Sequence, residues 1–221
     1  MDGFVADVLR ITLLNLAALM PIVNPAGNAP IFLSLTRGAS ADTRAVLSRR
    51  IAVNGLVLLV ASMLGGTYIL AFFGVSLQAV QVGGGLVLTA TGWSLLTRSP
   101  DEPRAAPADD GDAPDWLARS FYPLTLPVTV GPGSLSIAIT LGANRPGRWP
   151  HDLAYLVAAL LAALGVSLAI YASYRSSERI ERWLGVSAMS VFLRLSSFIL
   201  MCIGVQILWN GVSAMFATLP R

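Results

Sequence analysis

Pro21-Ile22-Val23-Asn24-Pro25-Ala26-Gly27-Asn28-Ala29-Pro30 and Pro123-Leu124-Thr125-Leu126-Pro127-Val128-Thr129-Val130-Gly131-Pro132-Gly133 both lie inside long apolar runs. Each places three prolines within ten residues and adds glycine. A proline in a helix interior costs about 3 kcal/mol, and glycine weakens the helix further, so each stretch ends one helix and starts another. The expected second pieces are short half-helices near residues 29–36 and 135–142, capped by Asn28 ahead of Pro30 and by Ser134 after Pro132-Gly133. Unwound backbone in hydrocarbon leaves N–H and C=O groups unpaired at several kcal/mol each, so both breaks must face protein or a polar cavity.

The chain around them is built for lipid. It is 55% hydrophobic and 12% charged, against roughly 25% charged in a soluble domain, and its mean hydropathy is +0.68. Windows free of Asp, Glu, Arg and His fall at 11–36, 51–73, 76–97, 120–143, 153–174 and 195–217. Each is long enough to cross a bilayer, which needs about 20 residues. All 15 basic residues are arginines at the ends of these runs, so the net charge of +3 reads as topology and not as nucleic-acid affinity. Eleven fall on one side, after the first, third and fifth spans, and four on the other. The positive-inside rule makes the first side cytoplasmic and puts both termini outside.

The N-terminus has two acids and no basic region, so the first apolar segment is expected to be retained. Cys202 sits inside an apolar run and is expected to pack inertly. His151 is expected to lie in an outer loop. Residues 98–119 carry Pro100, Pro103, Pro107 and Pro114 among acidic residues and read as a flexible linker. It divides the chain into a first three-span unit (1–97) and a second (120–221). Residues 175–183, with Ile180, Trp183 and Leu184 on one side of a helical wheel, read as a short interfacial helix or a solvated loop.

The two units echo each other: a broken first span in each, then Gly84-Gly85 and Gly92 in one third span against Ser196-Ser197 and Gly204 in the other. Three spans per unit reverse the second copy, so the expected fold is an all-α membrane protein of six transmembrane helices arranged as two inverted three-helix repeats with broken first helices. Such repeats place substrate sites at the midplane. Half-helix N-termini would favour an anion and the preceding C-terminal carbonyls an ammonium group, which together suit a small zwitterion. Asn24, Asn28, Thr129 and Ser134 are the expected polar lining, with Gln206 and Asn210 from the last span. The spans hold no ionisable acid or histidine for proton coupling. Nor do they hold a Ser-His pair, paired Asp or metal motif for an intramembrane hydrolase, so no enzyme activity, metal or cofactor is expected.

Asn24-Pro25-Ala26-Gly27-Asn28-Ala29-Pro30-Ile31-Phe32-Leu33-Ser34-Leu35-Thr36 resembles, over all thirteen positions, a signature of the MarC family of bacterial and archaeal inner-membrane proteins. Pro123-Leu124, Pro127 and Gly131-Pro132-Gly133 are similar to its second motif, and Gly204-Val205-Gln206 with Gly211 to its last helix. Ser196-Ser197 departs from it, since the family often has glycine there. The resemblance implies six helices and kinship with neutral amino acid transporters, export being one direction open to it. Carried over by residue, it adds Pro25, Gly27, Gly131, Pro132 and Gly133 to the candidate substrate-binding set. The expected partners are a small neutral or zwitterionic solute and the lipid bilayer, with a homo-oligomer left open. The alternative is a non-transporting membrane scaffold or assembly protein.

Overall fold

The computed structural model describes residues 2–36, 38–97, 115–144 and 151–217. They form seven long helices, α1 (Asp2–Val23), α2 (Pro25–Leu35), α3 (Ala41–Phe72), α4 (Leu77–Thr97), α5 (Pro132–Ala143), α6 (His151–Arg175) and α7 (Ser177–Ala217), with an irregular segment over Ala118–Ser120 and Phe121–Thr129 ahead of α5. Five helical runs are long and apolar enough to span a membrane, and a sixth span results if the bent pair around Val130 counts as one. The protein is therefore an all-helical multi-pass membrane protein. Leu9, Leu13, Val53, Val57, Leu164, Leu168, Leu195 and Ile199 are exposed on its outside, the apolar surface that lipid covers.

The helices overrun their apolar windows where caps allow. Ser40 accepts from the Thr43 amide at 3.1 Å and starts α3 ten residues before the charge-free window. At 1.5 Å per residue this 32-residue helix is about 48 Å long, so its arginine-bearing end protrudes beyond the hydrocarbon. There the Arg44 guanidinium donates to the Thr36 carbonyl at the end of α2 at 3.0 Å and pairs with Glu178 at the start of α7. A cation on exposed C-terminal carbonyls is favoured by the helix dipole.

The larger core joins Leu19 and Val23 of α1, Phe32 of α2, Ile51, Leu59 and Met63 of α3, Val130, and Val166, Ile170 and Tyr174 of α6. A smaller cluster of Ile22, Leu88, Leu200 and Ile207 links this body to α4 and α7. Those two helices meet through glycine: a Cβ on Gly85 would lie 2.5 Å from the Leu208 nitrogen, and one on Gly92 2.6 Å from that of Met201. Backbones that close need bare Cα positions, the contact that small residues permit between membrane helices. Ser197 is buried despite departing from glycine.

Several expectations are corrected. Cys202 is exposed on α7 and not packed inside. His151 opens α6, with Nδ1 3.5 Å from the Asp7 carboxylate, and is not a loop residue. The 175–183 stretch is helical from Ser177 until Gly185 breaks it at φ 72°, but the side chains of Ile180, Trp183 and Leu184, on which the interfacial reading rests, lie outside the described residues. So does the linker as far as residue 114.

Candidate functional site

The two breaks form by different chemistry. In the first, a single residue interrupts the helix: Asn24 takes the left-handed conformation (φ 46°, ψ 59°), which asparagine tolerates better than most residues. Its Oδ1 accepts from the Gly27 amide at 3.1 Å, while Pro25 occupies the first helical position, where a missing N–H costs nothing. The cap is thus Asn24, four residues earlier than Asn28, and α2 starts at Pro25 with Pro30 inside it. Gly27 is required by closeness, because a Cβ there would collide with the Asn24 side chain.

The second break is longer. Tyr122 and Leu126, each ahead of a proline, are extended at φ −120°, ψ 125° and φ −114°, ψ 122°, as the proline ring demands of the preceding residue. The chain then bends by 72° into α5. Gly131 occupies the cap position of α5 and Pro132 follows it; no side chain caps this terminus, so Ser134 is not the cap the sequence suggested. The freed backbone is repaired by Thr125 donating to the Ser120 carbonyl at 2.7 Å, Thr129 to that of Leu124 at 2.6 Å, and the Val130 amide to Thr125 at 2.8 Å. Residues from other spans clamp it. The Tyr174 hydroxyl lies 2.8 Å from that of Thr129 and its ring stacks on Phe32 at 4.6 Å, while Asn54 reaches Thr125 at 3.4 Å.

Asn28 joins the breaks. Its Nδ2 donates to the Val23 carbonyl at 2.8 Å and to the Val128 carbonyl, 100 residues away, at 3.3 Å. Between the breaks lies a cavity of about 630 Å³, within the size range of small-molecule pockets. Asn24, Asn28, Thr129, Gly131, Pro132, Gly133 and Ser134 line it, together with Ile22, Ile31, Leu88, Thr91, Leu200, Tyr122 and Arg119. Pro25 and Gly27 shape the first break without lining the cavity. Gln206 does not line it either: it is exposed on α7 and donates to Asn210 at 2.9 Å.

Sequence reasoning missed four participants. Asn54 and Tyr174 were available as polar groups within spans, which is itself a flag. Arg119, counted only as a topology marker, lines the cavity with its guanidinium 5.6 Å from the Trp116 ring centre. Thr91 left no signal beyond being a hydroxyl in a span.

The cavity extends toward the ends of α2 and α4 that carry Leu35 and Leu95, the arginine-rich side. On the other side α5 is packed shut. The Ser136 hydroxyl donates to the Val80 carbonyl of α4 at 3.1 Å and Gln81 reaches Thr140 at 3.3 Å, while Gly142 presses on the Met63 carbonyl of α3.

A family model described as MarC family integral membrane protein matches residues 9–216, from α1 through both breaks to the end of α7. The inner membrane protein MarC of Salmonella typhimurium is 28% identical over 218 residues, covering 96% of this chain and 98% of its own. That of Citrobacter koseri is 29% identical over 217 residues with the same coverage, and the membrane protein YvbG of Bacillus subtilis 28% over 203 residues, 91% of this chain and 94% of its own. No solved structure matches. With both breaks and all but the first turns of α1 and the last residue of α7 inside the matched region, the chain belongs to the MarC family of integral membrane proteins.

Proposed function

We propose that this protein carries small solutes across the bacterial inner membrane, holding each in the cavity between the two breaks, without catalysis. One observation carries the reading: both interrupted helices, far apart in sequence, line a single cavity of solute size. The inner-membrane assignment follows the names of its Salmonella and Citrobacter relatives. Orientation follows the arginines, with both termini outside and the cavity open toward the cytoplasm.

An inverted repeat is supported by parallel local chemistry. In each unit the half-helix is pinned at its C-terminal carbonyls by the next span, α2 by Arg44 of α3 and α5 by the Tyr155 hydroxyl of α6 donating to Leu141. In each unit, too, the joint before the third span holds a positive-φ glycine, Gly74 at 65° and Gly185 at 72°. These joints tether α4 and α7, and a swing of that pair on the smaller apolar cluster would open the cavity alternately to the two sides.

Topology is checked by fusions: a reporter after Arg221 is expected to behave as periplasmic, and one inserted at Asp110 as cytoplasmic. The opposite pattern would invert the assignment. The transport reading is tested by thermal unfolding of purified protein against a panel of small metabolites. A ligand at 100 times its dissociation constant stabilises the fold by about 2.7 kcal/mol, and the shift should vanish in Gly133→Leu, whose side chain enters against Leu88, 3.0 Å from the position of a Cβ. A scaffold predicts no shift from any solute. Asn24→Ala and Ser134→Ala should each weaken binding, and the double variant should depart from additivity by at least about 0.5 kcal/mol.

A further inference from the structure

The positive charge and the unpartnered donors on the cavity wall narrow the solute. We infer that the cavity takes a small monocarboxylate with an apolar body and no ammonium group. The inference rests on the solute-binding reading above and replaces the zwitterion with an anion.

The anchor is the start of α5. Pro132 has no N–H, and the amides of Gly133 and Ser134, in the first turn of a 12-residue helix, have no carbonyl one turn back to receive them. Both residues line the cavity, and no side chain caps the terminus. Ser134 is 2% exposed, and its hydroxyl makes no hydrogen bond among the described residues. A hydroxyl left without a protein partner at the cavity wall is available to whatever the cavity holds.

Asn24 adds a further donor. The Gly27 amide can donate only to oxygen, which fixes Oδ1 inward and leaves Nδ2 unclaimed. Several carbonyls at the breaks are already in use. Asn28 occupies the carbonyls of Val23 and Val128, Thr129 that of Leu124, and the Val130 amide that of Thr125. An ammonium brings three donors, and among the described residues the lining offers it no Asp or Glu. Among the described residues the one charged lining residue is Arg119, which makes no ion pair with a described carboxylate. It gives the cavity a positive potential that draws anions. Ile22, Ile31, Val87, Leu88 and Leu200 supply the apolar wall for the body of the solute.

The test uses three probes of similar shape on the purified full chain: 4-methylpentanoate, leucine and 3-methylbutylamine. Calorimetric titration is expected to show the carboxylate binding at least about tenfold more tightly than leucine, with no binding of the amine, since a hydrogen bond to a charged group is worth about that factor or more. Ser134→Ala should weaken 4-methylpentanoate about tenfold while the protein stays monodisperse. Arg119→Gln should flatten the salt dependence of its affinity. Leucine binding as tightly as the carboxylate would overturn the inference and leave the transport reading standing. Unchanged carboxylate affinity in Ser134→Ala would also overturn it. If none of the three probes binds the folded protein, the inference fails, and the reading beneath it fails as well only if no solute of the wider metabolite panel shifts the unfolding.

Discussion

Gly204→Leu and Gly85→Leu are each expected to leave no monodisperse protein after extraction, whereas Gly83→Leu, in the same helix as Gly85, should purify like the parent. A Cβ at Gly204 would lie 2.5 Å from the Thr89 nitrogen, and one at Gly85 would lie 2.5 Å from the Leu208 nitrogen and 2.8 Å from the Gly204 carbonyl. These are backbone atoms, which cannot turn aside as a side chain can. A leucine at either place would force α4 and α7 apart along the interface. Overpacking ordinarily costs about 1–3 kcal/mol, and separating two helices costs more, against a total stability of about 5–15 kcal/mol. Gly83 has open space where its Cβ would point. Size-exclusion profiles and thermal unfolding of the three variants check this, and normal recovery of Gly204→Leu would show that α4 and α7 do not pack as described.

Asn28→Ala should destabilise the fold by about 1–3 kcal/mol and abolish solute binding together. The amide of Asn28 donates across to the second break at Val128, at 3.3 Å, and within its own break to Val23, at 2.8 Å. Without it two carbonyls of unwound backbone lose their donor where water is scarce, and the walls of the cavity lose their mutual register. Asn24→Ala differs, because it removes one local cap worth about 1 kcal/mol and leaves the bridge intact. Denaturation of the two variants beside their binding isotherms separates the roles. Equal effects on stability would argue that Asn28 is no more than a second cap.

Gln206 illustrates how far a sequence reaches. Its polarity inside a span suggested the cavity, yet Gly204 and Gly211 already marked the face of α7 that meets α4. Two residues beyond Gly204 on a helix is a turn of about 200°, so Gln206 points away, as does Asn210 one turn later. Its partner being Asn210, four residues on, is the local solution for two polar groups on an outer face. That placement was legible once the glycines were taken as the packing face. The capping residue was less so: Asn24 and Asn28 both precede α2-like sequence, and the choice fell to the one able to adopt φ 46° with its oxygen over Gly27.

What the sequence determined by itself was solvent and segmentation. Apolar runs without charge can satisfy backbone groups in lipid only as helices, so the spans followed from composition, though not the full length of their helices, and proline spacing fixed where two of them break. Which groups meet across the breaks was decided by tertiary structure. The reach of Asn28 to Val128, the Tyr174 hydroxyl at Thr129, and the place of Arg119 on the cavity wall all depend on how helices distant in sequence rotate and pack. Local periodicity sets the face of one helix relative to itself, and only close packing against the others sets what that face meets.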